Sequence, residues 1–133
     1  MRDAAILVVD DEPMLVEIFS EWLLEEGYRV HTAGNGAVAL QFLKSNRVDV
    51  IVSDIRMPVM DGIALLRSLR ESGTSMPGII FVSGYSDLSS GQATEIGAET
   101  ILRKPIRRDQ FLGAIETALG PLSQGATEPV PER

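Results

Sequence analysis

The sequence predicts an α/β fold built around a parallel sheet. Short apolar runs alternate along the chain with longer segments whose apolar residues recur at helical spacing, the pattern of repeated βα units. The runs at 6–9, 48–53 and 79–82 are mostly apolar, as expected for strands covered on both faces. Polar residues follow these runs directly, which is typical of an open sheet that keeps its ligands at one edge.

The first half of the chain predicts two βα units. After the strand at 6–9, a helix begins at Pro13, which suits a first helical turn, and stops at Gly27. Its apolar stripe repeats at helical spacing and consists of Leu15, Ile18, Phe19, Trp22 and Leu23. Residues 28–33 predict a second strand, and Asn35 can cap a second helix with apolar positions at Val38, Leu40, Phe42 and Leu43.

The second half continues with three strands and three helices. The strands are expected at 48–53, 79–82 and 100–102, and the helices at 61–73, over roughly 86–96, and around the stripe Phe111, Ala114, Ile115, Ala118 and Leu119. The segment 86–96 is poor in helix formers and predicts a weak helix. We expect one domain over residues 1–120, and the Pro, Gly, Ser and Glu content of 121–133 predicts a disordered tail.

Composition excludes several classes of function. The net charge of -7 argues against direct nucleic-acid binding, because phosphate backbones are bound mainly through Lys and Arg. The chain has no Cys, so it can form neither a disulfide nor a thiolate metal site. No signal-type segment or run of about 20 apolar residues is present, so we expect no membrane contact and a cytoplasmic protein.

Five charged or hydroxyl-bearing residues follow four of the predicted strands. They are Asp10 and Asp11 after the first strand, Asp54 after the third, Ser83 after the fourth and Lys104 after the fifth. Parallel strands would bring them together at one edge. Three clustered carboxylates repel one another unless a cation lies among them, and an all-oxygen donor set without Cys or a nearby His suits Mg²⁺.

Such a site can accept a phosphoryl group. Asp54 is the best nucleophile because a central strand would place it mid-crevice, where it could form an aspartyl phosphate. Lys104 and the Ser83 hydroxyl would then face phosphoryl oxygens. Alone, each residue is more simply a helix cap, a loop residue or a solvated rim charge. Their shared position at strand ends is what indicates a site.

Four segments together resemble the receiver domain of two-component response regulators. They are Val8–Pro13, Ser53–Gly62, 82–86 and 103–105, and the resemblance extends over about residues 4–119. It implies a flavodoxin-like, doubly wound, five-stranded parallel sheet in the order 2-1-3-4-5 with five helices. It also implies that Asp54 is the phosphoacceptor, with Asp11, Asp54 and the backbone carbonyl of Arg56 binding Mg²⁺ directly. Asp10 would then bind the ion through water, Ser83 would be the switch hydroxyl and Lys104 its ion-pair partner.

The resemblance implies a switch rather than an enzyme with a separate substrate. The phosphoryl donor would be a histidine kinase or histidine phosphotransfer protein, and no organic cofactor is expected. Output would pass through the predicted fourth helix, fifth strand and fifth helix to an effector protein or to a second copy. Ile101 and Ile106 stand where many receivers have aromatic residues, so the usual ring rotation that accompanies movement of the hydroxyl is not expected here.

Two other classes of protein share some of these sequence features. Mg²⁺-dependent phosphohydrolases of the haloacid dehalogenase type also form an aspartyl phosphate, but they place a general-acid Asp at the position that is Arg56 here. They also usually carry a cap domain, for which 133 residues leave no room. Nucleotide or flavin carriers with this topology need a Gly/Ser/Thr-rich phosphate loop after the first strand, where this chain has Asp10-Asp11-Glu12.

Overall fold

The computed structural model describes residues 3–73, 76–84 and 100–125. In chain order the elements are β1 (Ala5–Val9), α1 (Pro13–Glu25), β2 (Arg29–Ala33), α2 (Gly36–Leu43), β3 (Val50–Asp54), α3 (Gly62–Glu71), β4 (Gly78–Ser83), β5 (Thr100–Arg103) and α4 (Arg108–Gly125). All five predicted strands and four of the five predicted helices are present. The weak helix predicted over roughly 86–96 lies outside the described residues.

The five strands form one parallel sheet in the order β2-β1-β3-β4-β5. This confirms the predicted fold class and strand order. Both β1 and β4 pair with β3, with Val9 opposite Ser53 and Asp54 opposite Val82. The residues that follow β1, β3, β4 and β5 therefore lie at the same edge of the sheet.

The three central strands, β1, β3 and β4, each contribute side chains to two apolar layers, one on either face of the sheet. Ile6 and Val8 of β1 belong to the layer beneath α1 and α4, whereas Leu7 and Val9 belong to the layer beneath α2 and α3. In the first layer the rings of Phe19 and Phe111 stack with centroids 4.7 Å apart. The second layer is closed by the buried residues Ala39, Leu65, Leu66 and Leu69. Burial on both faces explains why the central strands are apolar at successive positions.

Helices α2 and α3 start at residues whose side chains cap them. The side chains of Asn35 and Asp61 accept hydrogen bonds from the third residue beyond them, at the starts of α2 and α3. Helix α1 starts differently, because its N-cap is Glu12 without a side-chain cap bond, and Pro13 follows. The simple interpretation of Asp10 or Asp11 as the cap of α1 is therefore wrong.

Gly120 interrupts the last helix. Its φ of 81° is left-handed, so the helical backbone bends there before it continues to Gly125. The segment predicted as a tail, 121–133, thus begins within this element, and 126–133 lie outside the described residues, so the domain boundary at 120 stays a prediction. Within the described ranges, none of the helices combines the length and the apolar character needed to span a membrane.

Candidate functional site

Three carboxylates meet at the edge where β1 and β3 end. One oxygen from each of Asp10, Asp11 and Asp54 lies within 4.8 Å of the other two. Asp10 and Asp54 are buried, with 3% and 7% of their surface exposed, while Asp11 is exposed. The structure thus brings together the acidic residues that the sequence singled out, in a crevice with one side open to solvent.

The loop after β1 holds Asp10 in place by two backbone hydrogen bonds. Its N–H donates to the carbonyl oxygen of Ala33 over 3.1 Å, which extends the β1–β2 ladder by one residue. Its Oδ1 accepts from the backbone N–H of Glu12 over 2.9 Å. One oxygen of Asp10 is thereby fixed by the chain, and the carboxylate keeps further lone pairs for a ligand.

Burial makes the negative charge of this cluster costly. It raises the pKa of Asp10 to about 6; the hydrogen bond from Glu12 opposes this rise, and the nearby charge of Asp54 adds to it. Burial also raises the pKa of Asp54, against the opposing charge of Lys104 and backbone hydrogen bonds from Ile55 and Arg56. A divalent cation among these oxygens would remove the cost, and an all-carboxylate donor set fits a hard ion such as Mg²⁺.

Helix α3 packs against the backbone of Asp54 because residue 62 is glycine. A Cβ at Gly62 would lie 2.5 Å from the carbonyl oxygen of Asp54 and 2.9 Å from the ring of Phe81, closer than atoms can approach. The Gly62 N–H donates to the carbonyl oxygen of Ile55 over 3.0 Å, which closes the loop after β3. Glycine at this position lets the helix start directly beside the candidate phosphoacceptor.

Lys104 reaches the cluster from the other side of the edge. Its Nζ lies 3.6 Å from Oδ2 of Asp54 and 3.4 Å from Oε1 of Glu12, and its side chain is 25% exposed. Burial acts to lower the pKa of Lys104, but the charges of Asp54, Asp10 and Glu12 outweigh it and raise the pKa above its usual value of 10.5. Lys104 is therefore a charged ammonium at neutral pH. The peptide bond that follows it, to Pro105, is cis.

Ser83 ends β4 at the same edge. It is buried, with 1% of its surface exposed, and comes one residue after Val82, the register partner of Asp54. Its carbonyl oxygen accepts a hydrogen bond from the N–H of Lys104 over 2.8 Å, so the two residues are joined through their backbones. The structure thus places Ser83 at the same edge as Asp54 and Lys104, and the role of its hydroxyl stays a prediction.

Arg56, Ile101 and Ile106 were also singled out from the sequence, and Ile106 is half-buried against the layer beneath α1 and α4. Arg56 is exposed in the loop after β3, whereas Ile101 is half-buried, opposite Phe81 in the β4–β5 register. Val59 in the same loop has a φ of 71°, which a β-branched residue rarely adopts, and its side chain is 82% exposed.

Sequence reasoning gave no expectation that Glu12 would contact Lys104. It contacts Lys104 across 92 residues of chain, and no local spacing could have indicated that pairing. The signal that was available is its position, immediately after the two aspartates and before the helix.

Comparison with known proteins agrees with this geometry. The family model described as the response regulator receiver domain matches residues 6–116. The chain belongs to this family. The receiver domain is 37% identical over 118 residues to the transcriptional regulatory protein GlrR of Escherichia coli K12, covering 89% of this chain and 27% of GlrR. It is 35% identical over 107 residues to the sensor histidine kinase RcsC of the same organism, covering 80% of this chain and 11% of RcsC.

A solved structure of similar sequence gives the same fold. The response regulator protein TrrA of Thermotoga maritima, crystallised in complex with Mg(2+)-BeF, is 33% identical and superposes with a TM-score of 0.78 over 87% of this receiver domain and 99% of that chain. The receiver domain therefore matches that structure over nearly its whole length but spans only about a quarter of GlrR.

Proposed function

We propose that this receiver domain is the phosphoacceptor switch of a two-component phosphorelay and that Asp54 accepts the phosphoryl group. The observation that carries the proposal is the environment of Asp54. Its buried carboxylate ends the central strand, lies beside two further carboxylates and has the Lys104 ammonium 3.6 Å away. A carboxylate flanked by a cation site and an ammonium can attack phosphorus while the developing charge is neutralised.

Asp11, Asp54 and the backbone carbonyl of Arg56 would hold Mg²⁺ directly, and Asp10 would hold it through water. When bound, the ion would supply positive charge to the oxygens of the donor phosphate. Asp10 is suited to the indirect role because one of its oxygens is already engaged by the Glu12 N–H. That TrrA was crystallised with Mg(2+)-BeF supports the choice of ion.

In the proposed step, an Asp54 Oδ atom forms a bond to phosphorus and the bond from phosphorus to the donor breaks. The electron pair of the broken bond leaves with the donor, a histidine nitrogen in a partner kinase or phosphotransfer protein. Lys104 balances the charge on the phosphoryl oxygens and the Ser83 hydroxyl donates to one of them. The similarity to a domain of RcsC supports a histidine kinase as partner.

The phosphorylated domain would act by binding another protein, or a second copy, through the surface formed by the helix predicted over roughly 86–96, β5 and α4. Similarity to GlrR, a transcriptional regulatory protein, supports an effector that regulates transcription. The domain would be a cytoplasmic signalling switch whose catalysis is limited to its own phosphorylation and dephosphorylation.

Intact-mass measurement after incubation with Mg²⁺ and acetyl phosphate tests the proposal. The wild type and the exposed control Asp109→Asn should gain the mass of one phosphoryl group, and Asp54→Asn should gain none. If the wild type gains no mass from acetyl phosphate or from any histidine kinase donor, the proposal is wrong. Sustained turnover of phosphate esters would instead favour the phosphohydrolase alternative.

A further inference from the structure

The Lys104 ammonium lies between two carboxylates at nearly equal distance. Its Nζ is 3.4 Å from Oε1 of Glu12 and 3.6 Å from Oδ2 of Asp54. Both separations exceed the 2.7–2.9 Å or so that is typical of a strong N⁺–H···O⁻ hydrogen bond. The ammonium is therefore shared between the two carboxylates and bonded closely to neither.

Glu12 is held where it can reach Lys104. Its backbone N–H donates to Oδ1 of Asp10, and its carbonyl oxygen accepts from the N–H groups of Leu15 and Val16 in the first turn of α1. Its carboxylate makes no cap bond to the helix and reaches Lys104 instead. The backbone of Glu12 is thus anchored on the aspartate side of the crevice, while its side chain crosses to the lysine side.

The two partners of Lys104 differ in exposure. The Glu12 side chain is 61% exposed, whereas that of Asp54 is 9% exposed. Glu12 can exchange the ammonium for water at little cost, but the buried Asp54 cannot. When a phosphoryl group adds negative charge at Asp54, the electrostatic attraction of the ammonium to that side exceeds its attraction to Glu12.

We propose that Glu12 is a positioning residue that competes with the phosphoryl group for Lys104. The inference rests on the proposed function of Asp54 and adds a role for a residue outside the proposed phosphoacceptor and cation ligands. In the resting domain Glu12 draws the ammonium outward, and phosphorylation must break that contact. Glu12 therefore weakens the binding of a phosphoryl group at Asp54 by the strength of the ion pair it gives up.

The affinity for beryllofluoride, a phosphoryl mimic, measures this competition. At saturating Mg²⁺, Glu12→Gln should bind beryllofluoride more tightly, by up to about fivefold, the usual upper range for a largely exposed ion pair. Glu17→Gln removes the same charge from an exposed position of α1 and should leave the affinity unchanged. In a Lys104→Met background, Glu12→Gln should have no effect, since a general charge effect would persist there and competition would not.

A double-mutant cycle on unfolding, with Mg²⁺ removed, tests the contact without any phosphoryl chemistry. Glu12→Gln and Lys104→Met should be coupled by up to about fivefold in the unfolding equilibrium constant, and Glu17→Gln and Lys104→Met should not be coupled. Absence of coupling between Glu12→Gln and Lys104→Met would show that the Glu12–Lys104 ion pair does not contribute to stability, and the proposal would be wrong. Coupling with unchanged or weaker beryllofluoride affinity in Glu12→Gln would overturn the competition, and failure of the wild type to bind beryllofluoride would overturn the function proposed for Asp54.

Discussion

Replacing Asp10 with asparagine should stabilise the protein when no divalent cation is present. Burial raises the pKa of Asp10 to about 6 from 3.8, so keeping it ionised in the folded state costs about 3 kcal/mol at neutral pH, at about 1.4 kcal/mol per pKa unit. An asparagine removes this cost. Its side-chain oxygen can still accept the hydrogen bond that the Glu12 N–H donates to Oδ1.

The pH dependence of the gain follows from the direction of the shift. A carboxyl whose folded pKa is raised holds its proton more tightly in the folded state, so the wild type loses stability as pH rises from about 4 to about 6. The Asp10→Asn variant has no carboxyl at this position and does not lose stability in this way. Its advantage should therefore be largest above about pH 7 and should fall by about 1.4 kcal/mol between about pH 8 and about pH 5.

Urea unfolding in EDTA at these two pH values measures the effect. A variant that is less stable than the wild type at the higher pH, or whose gain does not change with pH, would refute the reasoning. Repeating the measurement with Mg²⁺ gives a second test. Under the proposed function the cation should stabilise the wild type more than the variant, because the variant offers one carboxylate fewer.

Three further predictions concern the loop after β3 and the start of α3. Val59→Gly should raise the free energy of unfolding by about 1 kcal/mol, since glycine adopts the φ of 71° without strain and the valine side chain is 82% exposed; equal or lower stability in urea would contradict this. Gly62→Ala should lower stability by about 2 kcal/mol and reduce phosphorylation, because its Cβ would clash with Asp54. Gly113→Ala, where a Cβ meets nothing within 4 Å, is the matched control and should stabilise by up to about 1 kcal/mol. Arg56→Ala should shorten the lifetime of the phosphorylated state if the arginine shields it from water, and an unchanged decay rate would exclude steric shielding.

The sheet and the site edge could be predicted because their signals are local. A strand buried on both faces must be apolar at successive positions, and Val50–Asp54 shows both that run and the polar residue ending it. Helix starts at Asn35 and Asp61 were likewise predictable from a side chain that caps its own neighbours.

Features that depend on contacts between distant segments could not be predicted in this way. The approach of Glu12 to Lys104 joins residues 92 positions apart, and the need for glycine at residue 62 arises only when α3 docks on Asp54. Valine rarely adopts a left-handed φ, so the residue type at position 59 does not predict the backbone conformation found there. The predicted helix over 86–96 lies outside the described residues and stays a prediction.

The order of the strands along the chain has a consequence for folding during synthesis. A ribosome releases β1 and β3 before β5, so a nascent chain acquires its three clustered carboxylates before the lysine that opposes their charge. Until β5 pairs with β4 at the edge of the sheet, the Lys104 ammonium is not held beside the acidic cluster. Under the proposed function, efficient acceptance of a phosphoryl group would therefore require a chain in which β5 has joined the sheet.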